Sequence, residues 1–347
     1  DFSSNDYLGL ASDPRLAAAA ANALREHGTG ATASRLIAGN NAEHEALEAD
    51  VARFFHAERA LTFSSGYLAN VGIIPALVGR GDAIFSDALN HASLIDGCRL
   101  SRADVHVYQH ADVGALASLL AEHRSAARRA LIVTDGLFSM DGDLAPLAGI
   151  SDLARRFDAW TYVDDAHAVG VLGNGGRGTA TFAGLSDEVD VVVGTLGKAF
   201  GAAGAFVYGS DELIQYLLNK ARSFVFSTAM LPAQAAAARK GLRIAGDEHG
   251  RRDRVAQHAR LMRKSFAGCG IETLGEDTSP VVPVLIGDVE TTMRVGATLS
   301  ALGYLVGAVR PPTVPAGTSR LRVTISAAHT AEQIVALAEL VADVLRA

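Results

Sequence analysis

Short, unbroken apolar runs punctuate the chain, and between them apolar positions recur at helical spacing. The runs "AIF" (83–85), "ALIVTD" (130–135), "WTYVDD" (160–165), "DVVVGT" (190–195) and "GAFVYG" (204–209) have the length and β-branched content of strands. The stretches 112–125 and 146–157 are amphipathic and read as helices. Continuously apolar strands separated by helices predict a largely parallel sheet covered on both faces. Ligands of such sheets gather at the carboxyl ends of the strands. Three of the runs end there in polar residues, Asp135, Asp164 and Thr195.

Further on, the pattern changes. An alanine-rich helix near 230–245 gives way to the polar stretch "GDEHGRRDR" (246–254), which reads as a boundary. Beyond it, "SPVVPVLIGD", a helix near 289–302, "YLVGAV", "RLRVTISA" and a terminal helix predict a small α+β domain. With 347 residues, one large and one smaller domain is the natural division. The expected boundaries are an N-terminal arm over 1–12, a large domain over 13–245 and a small domain over 246–347.

Composition narrows the function classes. Hydrophobic residues make up 49% and aromatics only 6%, so the core must be built mainly of Ala, Val and Leu. No apolar run approaches the roughly twenty residues a membrane helix needs, so no membrane partner is expected. The first residues, "DFSSNDYLGL", show neither a basic leader nor an apolar signal core. The formal net charge is −7 and basic residues are scattered, which speaks against nucleic acid as a partner. Cys98 and Cys269 stand alone, as free thiols of a reducing cytoplasm do, and offer neither a disulfide scaffold nor a metal site.

Candidate chemistry starts from the lysines, of which there are four. Lys220, Lys240 and Lys264 lie in charged helical surroundings. Lys198 lies in "GTLGKAFGAAG" (194–204), among glycines and apolar residues, directly after a buried strand. An ammonium in such surroundings tends toward the free amine, and a free amine forms Schiff bases with carbonyls. The ordinary alternative is a lysine whose tip reaches solvent through a loop. Its neighbours weigh against that. A pyridoxal-phosphate (PLP) site needs a lysine, an acid for the ring nitrogen and a phosphate cradle. Asp164 ends a strand in "YVDDAHAVG", with His167 three residues on. "FSSGYLANVG" (63–72) places Ser-Gly at a helix start, where backbone N–H groups favour phosphate. His91 precedes another helix in "DALNHASLIDG", where a histidine is also an ordinary cap. Thr195 lies three residues before Lys198.

Taken in order, "SSNDYLGL", "SSGY", "NHAS", "FSMDGD", "VDDAH", "GTLGKAFG" and "FSTAMLPAQ" resemble the α-oxoamine synthase family of fold-type-I PLP enzymes across essentially the whole chain. The resemblance implies an α/β fold-type-I PLP-dependent transferase, with a mostly parallel sheet in the large domain and a small C-terminal α+β domain. It implies that Lys198 holds PLP covalently and later moves the Cα proton. His91 would stack on the pyridine ring and Asp164 would pair with its nitrogen. His167, with Ser139 close by, would bond the phenolic oxygen. Gly66 and Tyr67 would supply backbone donors near the cofactor. Thr195 would bond the phosphate, joined by Thr228 from the partner of a homodimer. Arg310 would hold the amino-acid carboxylate as a bidentate fork, and Asn5 and Thr313 would contact substrate. The segment "VRPPTVPAGTSRLRVTISAAH" (309–329) is similar to the biotin-pathway branch, implying L-alanine and a pimeloyl thioester, of CoA or of a carrier protein, as substrates. One departure is Ala168, where many members carry glycine.

Three other readings stay in view. A sister synthase would use glycine or serine and differ in the "RPPTVPAGT" stretch. An NAD-binding oxidoreductase would use "GNGGRG" (173–178) or "GTGATA" (28–33), but neither stands in strand–turn–helix context. A catalytically silent subunit would not be expected to keep Lys198, Asp164, His91 and His167 together.

Overall fold

The structure, a computed structural model, describes residues 1–346. The chain forms two compact units. The larger comprises residues 10–137 and 145–247, and the smaller comprises 1–9, 138–144 and 248–347.

The described residues form ten strands: β1 (Arg59–Phe63), β2 (Ala83–Asp87), β3 (Asp104–Tyr108), β4 (Ala130–Asp135), β5 (Trp160–Asp164), β6 (Val191–Thr195), β7 (Ala205–Gly209), β8 (Val281–Gly287), β9 (Gly307–Val309) and β10 (Ser319–Thr324). The larger unit carries a seven-stranded sheet in the order β1-β7-β6-β5-β4-β2-β3. Only β7 runs against its neighbours, so the expected mostly parallel α/β sheet is borne out. Every residue of β4 is buried, which is why "ALIVTD" carries no polar alternation. A core of Val, Leu, Ile and Ala side chains packs beneath the helices Gly66–Leu77 and Ala92–Ser101.

The apolar-run pattern finds five of these seven strands and misses two. β1, "RALTF", opens on an arginine, and β3, "DVHVY", is an edge strand with Val105 and Val107 exposed. Neither presents a continuous apolar run: β1 is buried beyond Arg59 but is broken by Arg59 and Thr62, and β3 is exposed along most of its length. In the smaller unit, β10 lies between β8 and β9 in an antiparallel sheet. The N-terminal residues are stitched to this sheet: Thr324 N donates to Phe2 O at 2.7 Å and Ala327 N to Tyr7 O at 2.7 Å.

Parallel register brings the carboxyl ends of β4, β5 and β6 side by side. Asp135 is opposite Asp164, and Asp164 is opposite Val193, two residues before Thr195. β6 then turns back into β7 as an antiparallel hairpin, and the loop at its tip, residues 196–204, carries Lys198.

Candidate active site

The hairpin loop is held by its own backbone. Leu196 N donates to Gly204 O (2.9 Å), Ala202 N to Leu196 O (2.9 Å) and Gly201 N to Lys198 O (3.0 Å). Gly204 has φ +105°, and a Cβ there would meet Met230 Cε at 2.4 Å and Phe63 O at 3.0 Å. Glycine is needed at this position both for the backbone conformation and for the close approach. Thr195 closes the base of the loop: its hydroxyl donates to Gly204 O (3.1 Å) and accepts from Gly197 N (3.1 Å).

The fold brings His167 to Lys198, whose Nζ lies 2.7 Å from His167 Nε2. His167 sits in the loop after β5 and is buried at 7% exposure. Asp164, at the end of β5, accepts from Ala166 N through Oδ1 (3.0 Å) and from Asn70 Nδ2 through Oδ2 (2.6 Å). The next residue, Asp165, is fully buried, accepts from Thr179 N and Thr179 Oγ1 at 2.7 Å each, and so ties down the far end of the His167 loop. Burial pushes the Asp165 carboxyl up to about 7, against the two hydrogen bonds that favour its charged form.

His91 caps the helix Ala92–Ser101, with Nδ1 accepting from Ser93 N and Ser93 Oγ 2.7 Å away. Its backbone N–H donates to Asp135 Oδ2 at 2.6 Å. Asp135 is buried, and its carboxyl is raised well above the usual range, first by desolvation and then by the neighbouring Asp164. Partial desolvation lowers the His91 imidazole, while Asp164 and Lys198 act on it with opposite signs. Lys198, His167, Asp164, Asp135 and His91 therefore converge on one patch of the larger unit.

The phosphate cradle has a local cause. Ser65 caps the helix Gly66–Leu77 in an extended conformation, and its side chain accepts from Leu68 N. Ala69 N reaches Ser65 O. The first-turn N–H groups of Gly66 and Tyr67 thus remain without an acceptor among the described residues, as helix starts require unless a ligand supplies one. Space is open at Gly66, where a Cβ would meet nothing within 4 Å. The donor set fits PLP: an amine for the aldehyde, a carboxylate for the ring nitrogen, an imidazole beside the amine, and free N–H groups for the phosphate. Thr228 is exposed and bridges Ser34 in the same unit.

The smaller unit holds Asn5, Ser139, Arg310 and Thr313. Arg310 is exposed and forms a turn with Thr313, whose N–H donates to Arg310 O (3.1 Å). Asn5 and Ser139 meet on a residue that the motifs did not single out, the buried Arg322. Its guanidinium donates twice to Asn5 Oδ1, at 3.1 Å each, and its Nε donates to Ser139 O. The one sequence signal was the alternation of Arg320, Arg322 and Thr324 with apolar residues in the strand run "RLRVTI". Asn70, Ser93 and Asp165 were also missed, since each looks like a routine helix or turn residue.

The two glycine-rich stretches do not form a dinucleotide site. Residues 173–178 form a tight turn with positive φ at Gly173, Gly175, Gly176 and Gly178, and a Cβ at Gly178 would strike Asp165 Oδ2 at 1.8 Å. Residues 28–33 follow the helix Pro14–His27 and open no helix of a βαβ unit.

This lysine-centred site at the carboxyl edge of a mostly parallel sheet places the chain in a defined class: it belongs to the class I and II aminotransferase family, whose model matches residues 1–341. Among its relatives are 8-amino-7-oxononanoate synthases, bearing out the resemblance carried by the motifs. The one from Geobacter sulfurreducens is 52% identical over 328 residues, covering 94% of this chain and 83% of the relative. The one from Methylococcus capsulatus is 50% identical over 344 residues, covering 99% and 88%. Solved structures agree. Serine palmitoyltransferase from S. paucimobilis, with bound PLP-myriocin, is 32% identical with a TM-score of 0.96, covering 99% of this chain and 87% of that one. The 8-amino-7-oxononanoate synthase from Francisella tularensis is 29% identical with a TM-score of 0.85, covering 99% and 96%.

Proposed function

We propose that the chain catalyses the reaction of 8-amino-7-oxononanoate synthases: L-alanine and a pimeloyl thioester condense, with release of CO2 and the thiol, to give 8-amino-7-oxononanoate. The cofactor is PLP. The observation that carries this assignment is the Lys198–His167 pair, 2.7 Å apart on the same patch as Asp164 and His91, in a chain half identical to such synthases over nearly its whole length.

Bound PLP supplies an electron sink for the α-carbon of the amino acid. The chain's residues do the rest. Lys198 Nζ would hold the cofactor and, as a free amine, would take the Cα proton as a general base. Asp164, held by Asn70 and the Ala166 N–H, would pair with the ring nitrogen. His167 would bond the phenolic oxygen and His91 would cover the ring face, with Ser139 a further candidate contact of the cofactor. The N–H groups of Gly66 and Tyr67 would receive the phosphate, joined by the Thr195 hydroxyl if it turned from Gly204 O. Arg310 takes the amino-acid carboxylate, while Asn5 and Thr313 contact substrate. The described chain has no helix long and apolar enough to cross a membrane, and the free thiols Cys98 and Cys269 support a reducing cytoplasmic setting.

We also infer a homodimer in which Thr228 completes the phosphate site of the partner. Its support is apolar exposure around the Ser34–Thr228 bridge: Ile37 is 82% exposed and Phe226 72%.

The test is direct. Purified enzyme should absorb in the visible from bound PLP and release CoA and CO2 from L-alanine with pimeloyl-CoA. Lys198→Ala should lose both properties. Normal absorption in that variant would sink the cofactor role of Lys198, and stronger turnover of glycine with acetyl-CoA would move the chain to a sister synthase.

A further inference from the structure

A continuous buried hydrogen-bond array runs behind the site. Its centre is Asn70, fully buried on the helix Gly66–Leu77. Asn70 Oδ1 accepts from Tyr162 Oη at 2.7 Å. Asn70 Nδ2 donates to Asp164 Oδ2 at 2.6 Å and to Ser93 Oγ at 2.8 Å. Ser93 Oγ in turn lies 2.7 Å from His91 Nδ1, which also accepts from Ser93 N. Both amide hydrogens of Asn70 are thus used, and so is its oxygen. Close helix packing makes the array possible: a Cβ at Gly97 would meet Asn70 O at 2.8 Å, so the Ser93 helix approaches the Asn70 helix only with glycine there.

The donor directions have a consequence. Ser93 Oγ accepts from Asn70, so its own hydrogen is free for His91 Nδ1. The Ser93 N–H donates to Nδ1, which is therefore unprotonated and can also take the Ser93 hydroxyl hydrogen, and the ring proton stands on Nε2. The same amide group places a donor on Asp164, and a donor to a carboxylate favours its charged form.

We propose that Asn70 is a positioning residue that joins the Asp164 carboxylate and the His91 imidazole in one array, and that through Ser93 it fixes His91 as the neutral Nε2–H tautomer. This inference rests on the proposed roles of Asp164 and His91 toward PLP. It adds that the acid at the ring nitrogen and the imidazole over the ring are set by one amide and not independently. Outer partners of this kind typically tune affinity by roughly tenfold or more, as they do around metal ligands.

The experiment uses the PLP-loaded enzyme and two variants, Asn70→Ala and Ser93→Ala. In 15N-histidine-labelled wild type, His91 should show a protonated Nε2 and a bare Nδ1. Ser93→Ala should mix the tautomers while changing PLP affinity less than Asn70→Ala does. Asn70→Ala should weaken PLP binding by roughly tenfold, the scale of a lost hydrogen bond to a charged group, and diminish the visible circular dichroism of the bound cofactor. A lower melting temperature in both variants with PLP affinity, dichroism and His91 tautomer all unchanged would overturn the proposal and leave Asn70 a purely structural residue. Should Asn70→Ala fail to fold, the His91 tautomer in Ser93→Ala decides alone. Failure of the cofactor assignment reads out separately, as unaltered visible absorption in Lys198→Ala. In that event the His91 tautomer of cofactor-free protein still tests the array.

Discussion

Asp165 shows how one side chain can link site geometry to pH. Its carboxyl is fully buried, and burial raises it from an ordinary 3.8 to about 7. A raised acid binds its proton more tightly in the folded state than in the unfolded one. Its contribution to stability is therefore complete below about pH 4 and is lost as pH rises toward 7. Asn is the neutral isostere: its oxygen can accept from Thr179 N while its amide donates to the Thr179 hydroxyl. Asp165→Asn should flatten the fall in stability between about pH 4 and 7, by up to a few kcal/mol at the alkaline end, as followed by denaturant unfolding across that range. An unchanged pH profile would show that Asp165 is not the group responsible. Arg310 invites a kinetic test at the same scale. It is exposed, so its removal should leave folding intact while raising the KM for L-alanine roughly tenfold, in keeping with a lost hydrogen bond to a charged group. Arg322 should behave differently. Arg322→Ala strands Asn5 and the Ser139 carbonyl and should cost stability as well as activity.

Among the elements, the β6–β7 hairpin matters most. Its loop holds Lys198 through three backbone hydrogen bonds and a glycine at positive φ. Gly204→Ala meets both the conformational cost and the contact with Met230 and Phe63 O. A loss of roughly 1–3 kcal/mol is expected, measured by denaturant unfolding, with weaker PLP binding because the lysine loop moves. The strands that apolar pattern could find were those with a mostly apolar run, β4 above all, whereas β1 is buried beyond Arg59 but broken by Arg59 and Thr62. β3 escaped because an edge strand with exposed Val105 and Val107 has the local pattern of an irregular segment. Helix starts were legible at Ser65-Gly66 and His91 because capping is local chemistry.

At the scale of the whole molecule, the proposed homodimer predicts a solution mass of twice the 36.1 kDa chain by light scattering. Thr228→Ala should weaken PLP binding while leaving that mass unchanged. A monomeric, fully active enzyme would refute the shared phosphate site.

Taken by itself, the sequence determined the sheet class, the lysine and the acid at the strand end, since each is written in a short run: a buried strand, a glycine-bracketed loop, a polar residue at a carboxyl edge. The ordered motifs also carried the family. Tertiary structure alone decided which side chains serve them. Lys198 meets His167 across 31 positions, Asn70 meets Asp164 across 94, and Arg322 meets Asn5 across 317. Local patterning cannot encode such pairs, because the strand order and helix packing that bring them within hydrogen-bond reach arise only when the whole sheet assembles.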